Sequence, residues 1–204
     1  MTSLTPLAYA ALGLLAEAPM HPYEMFQLML RRREDENVKV RPGTLYHQIG
    51  RLVDLGYAEQ LGTAREGNRP ERTTYAITDA GRDALLTGLR RMVAEPADEY
   101  PEFHLAVSHV DNLSDQDAVA ALRARTEAIR ARLEQYDEAA TGLQAKGLAP
   151  RYWLDVSYVR AMLAAQLEWL TATADRIERG DVPWDGPALP TDTEPTSTSK
   201  DPTR

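Results

Sequence analysis

The chain has 204 residues, enough for one large or two small domains, and 43% of them are hydrophobic, so a folded core is expected. It contains no Cys, which excludes thiolate zinc sites, disulfides and a cysteine nucleophile, and makes the reducing cytoplasm the expected compartment. A formal net charge of -8 argues against a nucleic-acid partner, but the acid is unevenly placed: residues 1–92 carry 12 Lys and Arg against 11 Asp and Glu, whereas residues 93–204 carry 11 against 20.

Thr5 as N-cap and Pro6 at the first helical position open a helix on which Leu7, Ala11, Leu14 and Leu15 recur at helical spacing, ending near Pro19. The apolar stretch from Leu7 to Ala16 has no basic segment before it and is half the roughly 20 residues a membrane span needs, so a core helix is expected and no membrane partner. His21-Pro22 starts a second helix through Tyr23, Phe26, Gln27 and Leu30, fraying in the run Arg31-Arg32-Arg33. Arg41-Pro42-Gly43-Thr44 opens a third, with Leu45, Ile49, Leu52 and Val53 within one face and Gly56 at its end.

Past Gly56 the period shifts towards two. Residues 57–61 and 73–77 alternate as short strands around a polar loop at 65–71, and Thr78 then caps a fourth helix with Leu85, Leu89 and Met92 on one stripe. Three helices, a two-stranded wing and a following helix make a first domain over residues 1–93. Residues 94–101, with two Pro and three acids, read as a linker.

In the second half Val119, Leu122, Thr126, Ile129, Leu133, Tyr136, Ala140 and Leu143 step by three and four, the period of packed long helices. After a break at Gly147 to Pro150, Val156, Val159, Leu163, Leu167, Leu170, Ala174 and Ile177 repeat it. Two such helices can pair antiparallel, and the economical source of further cover is a second copy of the chain. The expected organisation is therefore mainly α: a winged helix-turn-helix, the linker, a coiled-coil-like dimerisation and effector domain at 102–180, and a Pro/Thr/Ser-rich disordered tail at 181–204 on which Trp184 is a candidate for docking.

The third helix turns its apolar side inward and leaves Thr44, His47, Gly50, Arg51 and Asp54 outward, with Tyr46 and Gln48 on the flanks. In a helix-turn-helix the N-terminal part of such a helix enters the major groove, where His, Gln, Thr and Arg meet base edges. Arg65, Asn68, Arg69 and Arg72 on the wing suit phosphate or minor-groove contact, and Lys39 and Arg41 precede the helix where they can hold the DNA backbone. The implied partner is a pseudo-palindromic duplex operator, read by a homodimer.

Across residues 5–82, Leu-Gly-Leu-Leu-Ala at 12–16, Pro-Met-His-Pro-Tyr-Glu-Met at 19–25, Gly-Thr-Leu-Tyr at 43–46, Arg-Leu at 51–52, Gly-Tyr at 56–57 and Tyr-Ala-Ile-Thr-Asp-Ala-Gly-Arg at 75–82 strongly resemble the PadR family of transcriptional regulators. The resemblance implies a winged-helix DNA-binding domain, a helical C-terminal dimerisation domain, and repression relieved by a small molecule. It carries DNA contact onto Thr44, Tyr46 and Arg51 in the helix and onto Arg69 and Arg72 in the wing. Two departures stand out. The family most often has Pro after the motif Tyr, where this chain has His47-Gln48, and its wing is more densely basic, whereas Glu66 and Glu71 here oppose phosphate. Moderate affinity with a sharp salt dependence is expected.

No enzyme, metal or cofactor is expected. His104 and His109 are five apart, off one helical face, and Ser108, His109 and Asp111 hold the residue types of a hydrolase triad without its geometry. Phe103, Tyr152, Trp153, Tyr158, Met162 and Trp169 serve either as core and dimer packing or as walls of a pocket for a small aromatic or apolar effector, with Gln166 orienting it or setting helix register. The competing function is a protein-interaction module that keeps the winged fold without binding DNA, which the acidic bias favours.

Overall fold

The computed structural model describes residues 4–64 and 72–184, in two compact units, Met1–Glu99 and Tyr100–Arg204.

In the first unit, helix α1 spans Pro6–Glu17, where the Thr5 side chain accepts from the Ala8 amide at 3.2 Å. Helix α2, Pro22–Arg31, is closed at its start by a reciprocal pair: the Tyr23 amide donates to His21 Nδ1 at 3.0 Å and the His21 amide to Glu24 at 3.1 Å. Helix α3 spans Pro42–Asp54. Strands β1 (Ala58–Ala64) and β2 (Arg72–Ile77) pair antiparallel, each longer than the alternation suggested, with an irregularity between Gln60 and Gly62. Gly62 has φ +143 there, a conformation favouring glycine. Met20, between α1 and α2, exchanges both backbone hydrogen bonds with Tyr75 and so adds a further pairing to β2.

Helix α4, Asp79–Ala94, starts at Thr78, whose hydroxyl accepts from the Gly81 amide and donates to the Gly56 carbonyl at 2.7 Å. One side chain thereby joins the end of α3 to the start of α4. The buried face of α4 corrects the expected stripe: Gly81, Leu85 and Gly88 are buried, while Leu89 and Met92 are 43% and 40% exposed. Close approach is the reason, since a Cβ on Gly81 would fall 2.0 Å from the Tyr57 carbonyl oxygen and one on Gly88 2.1 Å from the Tyr9 ring.

Leu12 and Leu15 of α1, Met25 and Met29 of α2, and Leu45, Ile49 and Leu52 of α3 form the sealed centre of this unit. Each contributes about 1.5–3 kcal/mol on burial. The arginine run is largely tied to neighbouring acids rather than forming a free positive face. Arg32 makes a two-pronged bond to Glu17 at 2.5 and 2.7 Å, and Arg33, at φ 59, pairs with Glu36. The hydrogen bond from Arg32 outweighs desolvation and holds the Glu17 carboxyl below its ordinary pKa.

In the second unit a seven-residue helix that the sequence did not disclose, α5 (Glu102–Ser108), leads to α6 (Asp115–Ala145) and α7 (Leu154–Glu178). The long helices run antiparallel. Arg123 near the start of α6 pairs with Asp175 and Glu178 near the end of α7, and Arg160 of α7 pairs with Asp137 of α6. Between these clamps Leu122 and Ile129 meet Leu163, Leu170, Ala174 and Ile177. Trp184 docks here, its indole N–H donating to the Leu113 carbonyl at 2.8 Å. Residues 185–204 of the expected tail lie outside the described residues.

Candidate nucleic-acid interface and ligand cavity

Helix α3 is anchored by Leu45, Ile49 and Leu52, which are 0–1% exposed. Its 3.6-residue period then leaves Gly43, Thr44, Tyr46, His47, Gly50 and Asp54 in solvent, with Arg51 half-buried at the margin and Lys39 and Arg41 exposed just before it. Tyr46 is 47% exposed and its ring meets His21 edge-on, 6.0 Å between centroids, so the start of α2 steadies the aromatic.

Two of the expected base readers are partly engaged within the protein. The Thr44 hydroxyl donates to the Arg41 carbonyl at 2.8 Å and accepts from the Arg41 amide at 3.1 Å, so it closes the first turn of α3. Gln48 is half-buried, and its side-chain carbonyl accepts from the Thr5 hydroxyl at 3.0 Å, which ties α3 to the cap of α1. His47 and Arg51 thus carry more of the outward chemistry than the helical wheel alone indicated. Gly43 and Gly50 have nothing within 4 Å of a built Cβ, so packing within the protein does not demand glycine at either position. Mid-helix, at Gly50, glycine costs about 1 kcal/mol relative to Ala. Of the wing residues, Arg72 is described through its backbone, opposite Ala64, and Arg65, Asn68 and Arg69 lie outside the described residues.

The second unit holds a cavity of about 750 Å³ between α5, α6 and α7. Phe103, Met162, Gln166 and Trp169 line it together, whereas Tyr152 and Trp153 are elsewhere. The Trp153 indole donates to the Leu148 carbonyl and Tyr152 lies under Arg151, so both belong to the turn between α6 and α7. Tyr158, also among the aromatic candidates, completes the wall four residues before Met162 on the same helical face. Arg132 of α6 and Val107 of α5 also line it and carried no signal, because their placement depends on how three helices meet. Among the described residues no cluster of His, Asp and Glu could hold a metal ion, and no helix is long and apolar enough to cross a membrane.

Against known proteins, residues 11–87 match the model of the transcriptional regulator PadR-like family. Residues 11–87 belong to the PadR-like family. This PadR-like domain takes in α1 from Ala11 onward, α2, α3, the wing and the first half of α4. The negative transcriptional regulator PadR of Bacillus subtilis is 27% identical over 112 residues, which are 55% of this chain and 60% of that protein, so the alignment spans less than two thirds of the relative. The solved structure of B. subtilis PadR in complex with operator DNA is 22% identical with a TM-score of 0.74, covering 85% of this chain and 99% of that one. That of B. subtilis PadR in complex with p-coumaric acid is 21% identical with a TM-score of 0.70, covering 84% and 98%. The fold of the PadR-like domain and of the helical unit after it is thus that of these regulators.

Proposed function

We propose that this chain is a cytoplasmic, non-enzymatic transcriptional repressor that reads a pseudo-palindromic operator as a homodimer and is released by a small aromatic ligand. In this reading residues 1–93 bind DNA, 94–101 link, and 102–180 dimerise and hold the effector. The carrying observation is α3: a helix sealed on one side by Leu45, Ile49 and Leu52 that presents His47, Gly50 and Arg51 on the other, behind the cations Lys39 and Arg41. His47 and Arg51 read base edges, Tyr46 and Lys39 position the backbone, and Arg41, Arg65, Asn68, Arg69 and Arg72 contact phosphate or the minor groove. The names of the relatives support this, one being a negative regulator and its solved structures holding operator DNA and p-coumaric acid.

The cavity supports the effector part. Phe103, Tyr158 and Trp169 give it aromatic walls, and Gln166 and Arg132 give it polar groups to orient one end of a ligand. Exposed Leu105, Leu154 and Tyr158 in the same unit supply apolar surface for a second copy.

The test is a mobility shift on a duplex selected from random sequence. Arg51→Ala weakens binding about tenfold or more, on the scale of 1–3 kcal/mol for a side chain paired to a base, and wild-type affinity falls steeply as salt rises. Absence of any retarded complex at low salt defeats the proposal.

A further inference from the structure

We infer that α5 is the element through which occupancy of the cavity reaches the winged unit, with Phe103 as its anchor; this rests on the ligand reading above. Helix α5 is seven residues long with none buried, too short to persist without packing. Its two half-buried residues, Phe103 and Val107, one turn apart, both line the cavity, as do His104 and Ser108. The inward face of α5 is therefore the cavity wall. Phe103 is the one α5 residue packed against the buried cluster of the long helices, so α5 is held to them chiefly through a single side chain.

Phe103 is held from two sides. The Arg125 guanidinium carbon lies 3.8 Å above its ring, and Trp169 meets it edge-on at 6.1 Å between centroids. Arg125 is not part of the cavity wall, so the rest of the ring is left to meet a ligand. The Nε–H of Arg125 is buried without a hydrogen-bond partner, so this nitrogen gains nothing from an acceptor to offset its lost hydration. An aromatic guest would touch Phe103 and Val107 on one side and Met162 and Trp169 on the other, bridging α5 to α7. Because α5 is the first element after residues 95–101, fixing it removes freedom from the segment that carries the winged unit. Pairs of recognition helices that must match two half-sites depend on that freedom.

The experiment fills the cavity covalently, without a ligand. Ala165 is exposed and lines the cavity, so Ala165→Phe places a ring in it, and Ala165→Leu is the smaller filler should thermal melting show the first variant unfolded. Hydrogen exchange is read on the full chain without DNA, and affinity is read on the selected duplex. Amides of α5 become at least tenfold more protected while those of α6 and α7 change less than twofold, and affinity falls at least fivefold. Adding Phe103→Leu to Ala165→Phe reverses both. Unchanged α5 exchange in a folded variant overturns the inference, as does a protected α5 with unchanged or tighter DNA binding. Failure of the wild type to bind any duplex is a different result, which sinks the regulatory reading as a whole.

Discussion

The two units handle apolar surface differently. The largest fully sealed side chains, from Leu12 to Leu52, all belong to the winged unit, with Leu170 the exception in the helical unit. There α6 and α7 meet along one ladder, while Leu105, Leu154 and Tyr158 stay more than 60% exposed and a 750 Å³ cavity opens beside them. A three-helix core backed by a wing can close on itself, because each helix shields the others. Two long helices and a short third cannot, and the uncovered remainder is where this protein has room for other molecules.

The largest expected effects would break that contrast if they came out equal. Leu52→Ala removes a side chain sealed among three helices and lowers stability by about 2–5 kcal/mol in urea unfolding. Leu163→Ala, beside the cavity, costs less at low protein concentration, and its cost grows with concentration if a second copy covers the helical unit. Equal losses at every concentration would mean both cores are closed.

Glycines sharpen the contrast within the winged unit. Gly88→Ala drives a methyl into the Tyr9 ring and destabilises by about 1–3 kcal/mol in thermal melting. Gly50→Ala, with open space around it, stabilises the fold by about 0.5–1 kcal/mol. The same change weakens retardation of the selected duplex severalfold, because α3 loses room to approach. A variant that is more stable and binds DNA as well as wild type would mean that Gly50 serves neither purpose.

Smaller effects are expected at polar groups. If the cavity takes the aromatic effector proposed above with Gln166 orienting it, Gln166→Leu weakens quenching of Trp fluorescence by that ligand about fivefold, the equivalent of roughly 1 kcal/mol. An unchanged titration would move the polar end of the ligand elsewhere, towards Arg132. Smallest is the exposed pair of Glu17 with Arg32, where Glu17→Gln costs a few tenths of a kcal/mol, about what a surface ion pair contributes. The Glu17 pKa is depressed in the folded chain, so its contribution is present above the ordinary carboxylate value of 4.5 and is lost as pH falls through the lower folded value. Wild type and variant therefore differ at neutral pH and converge in acid, as chemical unfolding at several pH values would show.

Much of this was legible in the chain. The caps at Thr5 and Thr78, the helix start at His21-Pro22, the apolar runs at steps of three and four and the change towards a period of two after Gly56 are local signals, and they place α1 to α4 and the strands within a few residues. What went unseen is what neighbours decide. Helix α5 is too short for its period to register, and α4 buries Gly81 and Gly88 rather than Leu89 and Met92 because two tyrosines approach there. Tyr152 and Trp153 share their composition with the cavity wall but belong to a turn.

For this protein the amino-acid pattern alone determined where α1 to α4 and the two long helices lie, which side of α3 faces inward, and the likeness of residues 11–87 to a family whose motifs are short and local. Only the tertiary structure decided that Thr44 and Gln48 are partly committed to Arg41 and Thr5, that the arginine run is tied to Glu17 and Glu36, and that a cavity opens among α5, α6 and α7. The physical reason is range: helix period and capping act over three or four residues, whereas a hydrogen-bond partner or a void is set by segments that meet only after the chain has folded.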